Sequence, residues 1–575
     1  MIRTKVDDLV DYLGGRKTAL FTDVASALKW DIKSVEKTAQ ALEKEGILKL
    51  QYPIFKKPWM MMLKMPADSE EKERRGELIE KYSITGLEGH IDAEVKIIKT
   101  EEENEKFYFI GMGRASTATT AYLKSVEKEV VELSPIKPEK ESNEGKDELL
   151  QRHGIINSII MKDLGPDKKS LEALCGILLR NMYGLGEIEI LLADGLLEEI
   201  VINSAAEPTA VYHKKHGWLR TNIVIPNETE VANYAAQIAR KIGKQISLLN
   251  PLLDAHLLSG DRVNSTLFPI STKGNTITFR MFARNPWTMT GLLGNDKRTL
   301  SYDMAALLWQ AVHYEMNVMV GGGTASGKTS MLNSVIALIP PEQRVISIED
   351  TRELALPNNQ WNWVPLTTRT PNPEGLGEVT MLDLVVNSLR MRPDRIVMGE
   401  IRRKKEAEVL FEAMHTGHSV YATMHADTGS QLLKRLIEPP IEVPASEVDD
   451  VHLIAVQYRD RRKNVRKLLE IGEISVGPNN KPEFQRIYLW RPRFDKFELV
   501  SKQTRYLEQL NLHTGMTEKE ITADQENKKT VLEWMVKNKL ENVEAVGKVM
   551  YSYYHNEDTV VKAAEKNAAP SKIMS

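Results

Sequence analysis

At 575 residues the chain exceeds what one hydrophobic core sustains, and at roughly 150 residues per domain it should fold as several units. Apolar residues make up 42% and charged residues 27%, with 34 Gly and 25 Pro, a balance that excludes a collagenous or generally disordered chain. Lys and Arg number 77 against 80 Asp and Glu, so no bulk positive field exists to hold nucleic acid or an anionic membrane, and the lone Cys175 excludes internal disulfides and multi-cysteine zinc clusters.

Residues 6 to 63 open with three amphipathic helical patterns: Val6, Leu9, Val10 and Leu13; Phe21, Val24, Ala25 and Leu28; Ile32, Val35, Ala39 and Leu42. Gly46 stops the third, and ILKLQYP and WMMMLKM read as two strands, which completes the outline of a winged helix over residues 1–65. Its last helix carries Lys33, Lys37 and Lys44 against Asp31, Glu36, Glu43 and Glu45, a poor phosphate surface, so a structural or partner-docking module is expected rather than a DNA reader.

The charge-dense run after residue 65 reads as a solvated helix face, and AEVKIIK with KFYFI as a hairpin, making 66–133 a small α+β region. Gly111 and Gly113 mark a turn. Ser134 to Glu148, rich in Pro, Lys, Glu and Ser, reads as a linker spanning 134–148. Periodic apolar spacing resumes at Leu149, with Cys175 as a small buried residue in the run Leu174–Leu178. TAVYHKKHGWLRTNI reads as a hairpin, Val231–Ile242 as a helix, and RVNSTLF and TITFRMF as strands, so a mixed α/β domain covers 149–290. No run of 18 apolar residues occurs and MIRTKVDDLVDYL lacks a signal peptide's apolar stretch; a cytoplasmic protein that meets a membrane through a partner is expected.

GGTASGKT, Gly322 to Thr329, matches the phosphate-loop pattern G-x-x-x-x-G-K-[ST] without mismatch, between the strand-like NVMVGG and the helix-like SMLNSVIALI. The glycines let backbone N–H groups converge on a β-phosphate and the helix N-terminus adds its positive end. Lys328 neutralises β- and γ-oxygens, and Thr329 offers a hydroxyl to Mg²⁺. Hydrolysis also needs carboxylates at the carboxyl ends of neighbouring strands. VISIEDTREL supplies Glu349 and Asp350 as candidates for the Mg²⁺ surroundings, and RIVMGEIR supplies Glu400 as the group that orients or deprotonates water. AMHTGHSVYATMHADT holds His415, His418 and His425 at spacing too generic for zinc; an imidazole bonded to γ-phosphate or a carboxylate is the better reading. Beyond residue 475, FQRIYLWRPRFDKFELV is strand-like and TVLEWMVKNKLENV helical, both explained by core packing.

Four segments in order, GGTASGKT, ISIEDTREL, LRMRPDRIVMGEIR and TGHSVYATMHADT, resemble the Walker A, Asp box, Walker B and His box of the type II/type IV secretion superfamily of ATPases, which drives pilus assembly, archaellum assembly and protein secretion. MRPDRIVMGE and YGLGEIEILLADGLLEEIVIN resemble the archaeal pilus and Tad-type branch, and the likeness covers roughly 149 to 475. It implies an α/β chain with a PAS-like domain at 149–290 before a RecA-like P-loop core at 291–475, and a C-terminal extension at 476–575. It further implies a cytoplasmic ring of six that binds ATP and Mg²⁺ and works on a polytopic membrane platform protein, touching pilin or secretion components indirectly, with no nucleic acid.

On matching positions the resemblance gives nucleotide contacts to Gly322, Gly323, Thr324, Ala325, Ser326, Gly327, Lys328, Thr329 and Ser330, with Asp350 and His418 beside them. Catalytic roles fall to Glu400, Glu349, His425, Arg262 in GDRVN and Arg280 in TFRMF, and Mg²⁺ contacts to Thr329 and Glu349. Ala325 stands where the family commonly has Gly, acceptable if its φ is negative, and IRRKKEAE after Glu400 departs from the family's shorter basic-glycine turn. A DNA-translocating ring using the winged helix is the competing reading, and a third has the N-terminal 130 residues regulating assembly around a core that only senses nucleotide.

Overall fold

The structure, a computed structural model, describes residues 2–54, 57–66, 76–85, 92–100, 105–111, 113–133, 144–257, 259–282, 286–294, 298–371, 375–460, 462–463, 465–476 and 481–573. It divides into two compact units, Met1–Leu257 with Val263–Met281 and Leu258–Arg262 with Phe282–Ser575.

The first unit begins with α1 (Lys5–Gly14), β1 (Thr18–Leu20), α2 (Phe21–Ala27), α3 (Ile32–Lys44), β2 (Leu48–Gln51) and β3 (Trp59–Met62). Thr4 caps α1 in a reciprocal box with Asp7, and Asp31 caps α3 by accepting from Ser34 N at 2.9 Å. The strands pair antiparallel in the order β1-β3-β2; β1 was not foreseen in the sequence.

Then come β4 (Gly76–Thr85), β5 (Asp92–Thr100), β6 (Lys106–Gly111), α4 (Thr117–Leu133), α5 (Glu144–Leu164) and α6 (Lys168–Tyr183). Leu9, Val35, Leu42 and Met60 of the first module share one core with Tyr122 and Val126 of α4, Ile160 of α5 and Cys175 of α6. Asp163 knits them: its carboxylate accepts from Tyr122 Oη at 2.7 Å and pairs with Lys37 at 2.5 Å, and its carbonyl accepts from Trp30 Nε1 at 2.5 Å. Lys37 also pairs with Glu129 at 2.6 Å, which removes one of the three cations of α3 from any phosphate surface.

The unit closes with α7 (Ile188–Ala193), β7 (Leu197–Ile202), β8 (Pro208–His213), β9 (Gly217–Val224), α8 (Glu228–Lys241), β10 (Leu252–His256), β11 (Arg262–Thr266) and β12 (Thr276–Arg280). One nine-stranded sheet runs β10-β11-β12-β7-β8-β9-β6-β5-β4. Two sequence expectations need correction here. The charge-dense segment contributes no helix among its described residues: 76–85 form strand β4, in which Ile84 is buried and Tyr82 packs on the core two positions away, a period-two pattern hidden by the charges around it. The division at 149 is not a structural boundary, since β6 pairs parallel with β9 and Val95, Ile97 and Tyr108 share a core with Ile200, Val211 and Phe279. Of the expected linker, 134–143 lie outside the described residues and Glu144 already begins α5.

The second unit runs α9 (Met289–Leu293), α10 (Tyr302–His313), β13 (Val318–Gly322), α11 (Lys328–Ile336), β14 (Val345–Glu349), β15 (Trp363–Thr367), α12 (Met381–Ser388), β16 (Arg395–Met398), α13 (Lys404–His415), β17 (Ser419–Met424) and α14 (Gly429–Ile437). There follow β18 (Leu453–Asp460), β19 (Val465–Val476), β20 (Pro482–Arg491), β21 (Lys496–Leu499), α15 (Arg505–Thr514), α16 (Glu518–Lys537), α17 (Val543–His555) and α18 (Glu557–Glu565). The sheet order is β15-β14-β16-β17-β13-β18-β19-β20-β21, parallel from β15 to β18 and antiparallel beyond. A parallel sheet with helices between its strands and a phosphate loop after β13 is a RecA-like α/β core. Strands β13, β14, β16 and β17 are buried throughout, as covered parallel strands must be. The segment beyond 475 is part of this core rather than an appendage: β20 and β21 extend the sheet, and Leu532, Val546 and Tyr553 pack in one cluster with Leu307 and Val320. Among the described residues no helix is long and apolar enough to cross a membrane.

Candidate functional site

β13 ends at Gly322, φ 154°, where a side chain would collide with Ser326 Oγ and the Gln457 carbonyl. A Cβ on Gly323 would lie 2.8 Å from Asp427 Oδ1, the far end of a side chain that can swing away, so the steric demand for glycine falls on Gly322. Gly327, φ 98°, turns the chain into α11, whose first free N–H groups face the loop. Ala325 corrects an expectation: its φ is 57°, in the left-handed region, where a Cβ costs about 1 kcal/mol or more. Arg466 braces that turn by donating from Nε to the Ala325 carbonyl at 3.2 Å. Thr329 and Ser330 sit half-buried in the first turn of α11.

Strand order explains how the carboxylates arrive. Neighbouring strands lie about 4.8 Å apart, so β13 and β16, separated by β17, leave a gap of about 10 Å at their carboxyl ends. His425, just past β17, fills it. Lys328 Nζ lies 3.4 Å from His425 Nδ1, and His425 Nε2 lies 3.4 Å from Glu400 Oε1. Lys328 also donates to the Gly323 carbonyl at 3.3 Å. Glu400 is held on its other oxygen by Arg402, whose Nε and one terminal nitrogen donate to Oε2 at 2.9 and 2.6 Å. The remaining terminal nitrogen of Arg402 reaches Asp350 Oδ2 at 2.5 Å. The result is one polar chain across four strand ends: Lys328, His425, Glu400, Arg402, Asp350.

Burial pushes the Lys328 ammonium below its ordinary range, and Glu400, Glu353 and Asp427 push it back up. Burial and the neighbouring Lys328 hold His425 below the usual histidine range, which leaves the imidazole neutral near pH 7. A cleft of about 930 Å³ opens beside the loop, lined by Gly323, Thr324, Ser326, His425, Asp427 and Arg435, among others.

Two expected residues stand outside this chain of contacts. Glu349 is 3% exposed; its Oε1 accepts from Glu353 N at 2.9 Å and Leu354 N at 3.1 Å, and its Oε2 is sealed without a partner. Burial raises its carboxyl to about 7 despite those two N–H groups. It caps the turn after β14 through Oε1, which leaves Oε2 as a buried oxygen without a partner. His418 precedes β17 and so lies at the opposite edge of the sheet, about 20 Å from the loop by strand rise, bonded to the Ala413 carbonyl. His415 is at that edge too, on Asp450 at 2.6 Å. Arg262 opens β11 and Arg280 closes β12, both strands of the nine-stranded sheet.

Sequence reasoning missed Arg402, Glu353 and Asp427. Arg402 and Arg403, two and three residues after Glu400, and the second Glu of IEDTREL were visible, but nothing in their spacing says which side chain turns toward the loop. No group of three or more metal-binding side chains occurs among the described residues. Thr329 and the strand-end carboxylates Glu349, Asp350 and Glu400 are hard oxygen donors of the kind that Mg²⁺ would take together with phosphate and water oxygens.

A family model described as type II/IV secretion system protein matches residues 259–452. An uncharacterized protein of Methanocaldococcus jannaschii, MJ0900, is 33% identical over 387 residues, covering 66% of this chain and 69% of its own length. The type IV secretion system protein PtlH of Bordetella pertussis is 30% identical over 260 residues, 42% of this chain and 76% of its own. The chain belongs to the type II/IV secretion ATPase family. Among solved structures, the Yersinia pseudotuberculosis ATPase DotB matches over 66% of this chain and 92% of its own at 18% identity with a TM-score of 0.37.

Proposed function

We propose that the chain is the cytoplasmic ATP-hydrolysing motor of a type IV pilus-like filament or a type II/IV secretion apparatus, acting as a homo-hexamer on a polytopic membrane platform protein. The observation that carries the reading is the unbroken polar chain from Lys328 through His425 to Glu400 at the carboxyl ends of the parallel strands. A phosphate loop without a carboxylate in reach would bind nucleotide and stop there.

In this reading the N–H groups of Gly322–Thr329 hold the β-phosphate, with Ser330 beside them in the first turn of α11, and Lys328 neutralises the β- and γ-oxygens. Magnesium held by Thr329 would draw charge from the same oxygens when bound. Glu400 orients and deprotonates the attacking water, and neutral His425 donates its single N–H to a γ-phosphate oxygen. Arg262 and Arg280 are candidates for neutralising phosphate charge. The module at residues 1–65 is read as winged-helix-like and the sheet-bearing part of the first unit as PAS-like. A partner-docking role for α3 is favoured over DNA contact because Lys37 is spent on Asp163 and Glu129.

Glu400→Gln should keep ATP affinity and lose turnover by roughly 10²- to 10⁴-fold, whereas Lys328→Ala should lose ATP binding itself. Steady-state hydrolysis and equilibrium ATP binding on the full chain separate the two. Wild-type turnover in Glu400→Gln would remove Glu400 from the chemistry.

A further inference from the structure

Arg402 was not singled out in the sequence, yet it makes the densest set of charged hydrogen bonds at the site. We propose that Arg402 is a positioning residue for Glu400: anchored on Asp350, its guanidinium fixes one carboxylate oxygen and leaves the other aimed toward His425 and the phosphate loop. The inference rests on the reading of Glu400 as the group that activates water.

Both Nε and a terminal nitrogen of Arg402 converge on Glu400 Oε2, at 2.9 and 2.6 Å, and the second terminal nitrogen is taken by Asp350 Oδ2 at 2.5 Å. Each of the three guanidinium nitrogens therefore has a carboxylate partner, which locks the plane of the fork. Glu400 Oε1 stays outside this grip and lies 3.4 Å from His425 Nε2. With Oε2 pinned, rotation of the Glu400 carboxyl is suppressed and Oε1 has one direction to face, the side where Lys328 lies beyond the imidazole.

An isolated exposed ion pair would not suffice, because ordering two long side chains offsets most of its Coulomb gain. The Arg402 side chain is 59% exposed, so bulk attraction alone is weak here. The difference lies in pre-organisation. The Arg402 backbone N–H donates to Glu406 Oε2 at 3.1 Å, Arg403 N donates to the same oxygen at 3.0 Å, and Ile401 N donates to the Thr423 carbonyl at 2.9 Å. The loop that carries both Glu400 and Arg402 is thus tied at three consecutive N–H groups before the side chains meet. A base held in one orientation loses less in reaching the transition state than one that must be frozen during it.

The test measures ATP turnover and ATP binding for full-length Arg402→Ala, Arg402→Lys, Asp350→Asn, Glu400→Gln and the double variant Glu400→Gln with Arg402→Ala. Arg402→Ala should lower kcat by roughly 10- to 100-fold while the ATP dissociation constant stays within about twofold. Asp350→Asn should shift kcat the same way by less. Arg402→Lys keeps the charge but cannot fork, so it should recover little. In the Glu400→Gln background Arg402→Ala should cost nothing further, since there is no base left to aim. Additive losses in the double variant, a rise in the ATP dissociation constant as large as the fall in kcat, or full recovery with lysine would each overturn the proposal. Wild-type turnover in Arg402→Ala beside an inactive Glu400→Gln sinks this inference alone; wild-type turnover in Glu400→Gln sinks the underlying reading and the inference with it.

Discussion

Glu349 and Glu400 bring the same functional group to neighbouring strand ends and meet opposite fates. Glu400 keeps an oxygen directed at His425, whereas Glu349 is folded under its own turn with one oxygen sealed. The sequence offered both as acids at the end of an apolar strand, and period and spacing do not distinguish them. What separates them is that the chain after Glu349 turns back within hydrogen-bond reach and the chain after Glu400 does not. The buried carboxyl has a measurable consequence. Below about pH 4.5 it is protonated in both folded and unfolded chains; between there and about 7 the folded chain keeps a proton that the unfolded chain has lost. Stability therefore falls as pH rises through that window, by up to about 3 kcal/mol, and levels off above it. Glu349→Gln retains an acceptor for Glu353 N and Leu354 N without the charge. Its thermal midpoint should exceed that of the wild type at pH 8 and approach it near pH 4.5, and a gap independent of pH would contradict the assignment.

Strand direction and pairing decide what single residues cannot. His418 and His425 flank β17, and a parallel strand carries its two ends to opposite edges of the sheet, so at most one of them can serve the loop. β4 makes the same point in the first unit, since its core-facing Tyr82 gains meaning only when β5 lies beside it. Tyr82 and Tyr108 both donate to Asp194 Oδ2 at 2.6 Å, which fastens β4 and β6 to the segment between α7 and β7. Asp194→Ala would leave two phenols without an acceptor and should cost about 3 kcal/mol. Hydrogen exchange should then quicken in β4 and β5 ahead of β7 and β8; uniform protection across the sheet would show that the phenols do not anchor the edge.

At the level of the molecule, the C-terminal helices are built into the core of the second unit. Lys528 on α16 is fully buried and paired with Asp524, with Trp309, Tyr314 and Tyr553 within 5.7, 5.3 and 5.4 Å of its ammonium. Asp524 also accepts from Gln310 of α10 at 2.6 Å, and Tyr554 of α17 donates to the Leu338 carbonyl, just past α11, at 2.6 Å. Burial depresses the Lys528 ammonium below its ordinary range, and the adjoining Asp524 opposes that depression. Lys528→Ala strands a buried carboxylate and should cost about 3 to 5 kcal/mol, while Lys528→Met combined with Asp524→Leu should recover most of it. Denaturant unfolding of the three proteins checks this, and equal losses in the single and double variants would show that the charge is not what matters.

The sequence by itself determined the phosphate loop, the strand before it and the helix after it, the carboxylate Glu400, and the family, because each depends on residues contiguous in the chain. It also determined α1, α2, α3 and α8 and the strands read at ILKLQYP, WMMMLKM, RVNSTLF and TITFRMF, where the apolar period is undisturbed by charge. Tertiary structure alone decided that β4, β5 and β6 join the sheet of the first unit, that the C-terminal helices belong to the core of the second, that Glu349 turns inward, that His418 faces away, and that Arg402, held by Asp350, grips Glu400. These outcomes depend on which strands become neighbours and in which direction they run, and that information appears only when segments distant in the chain are brought side by side.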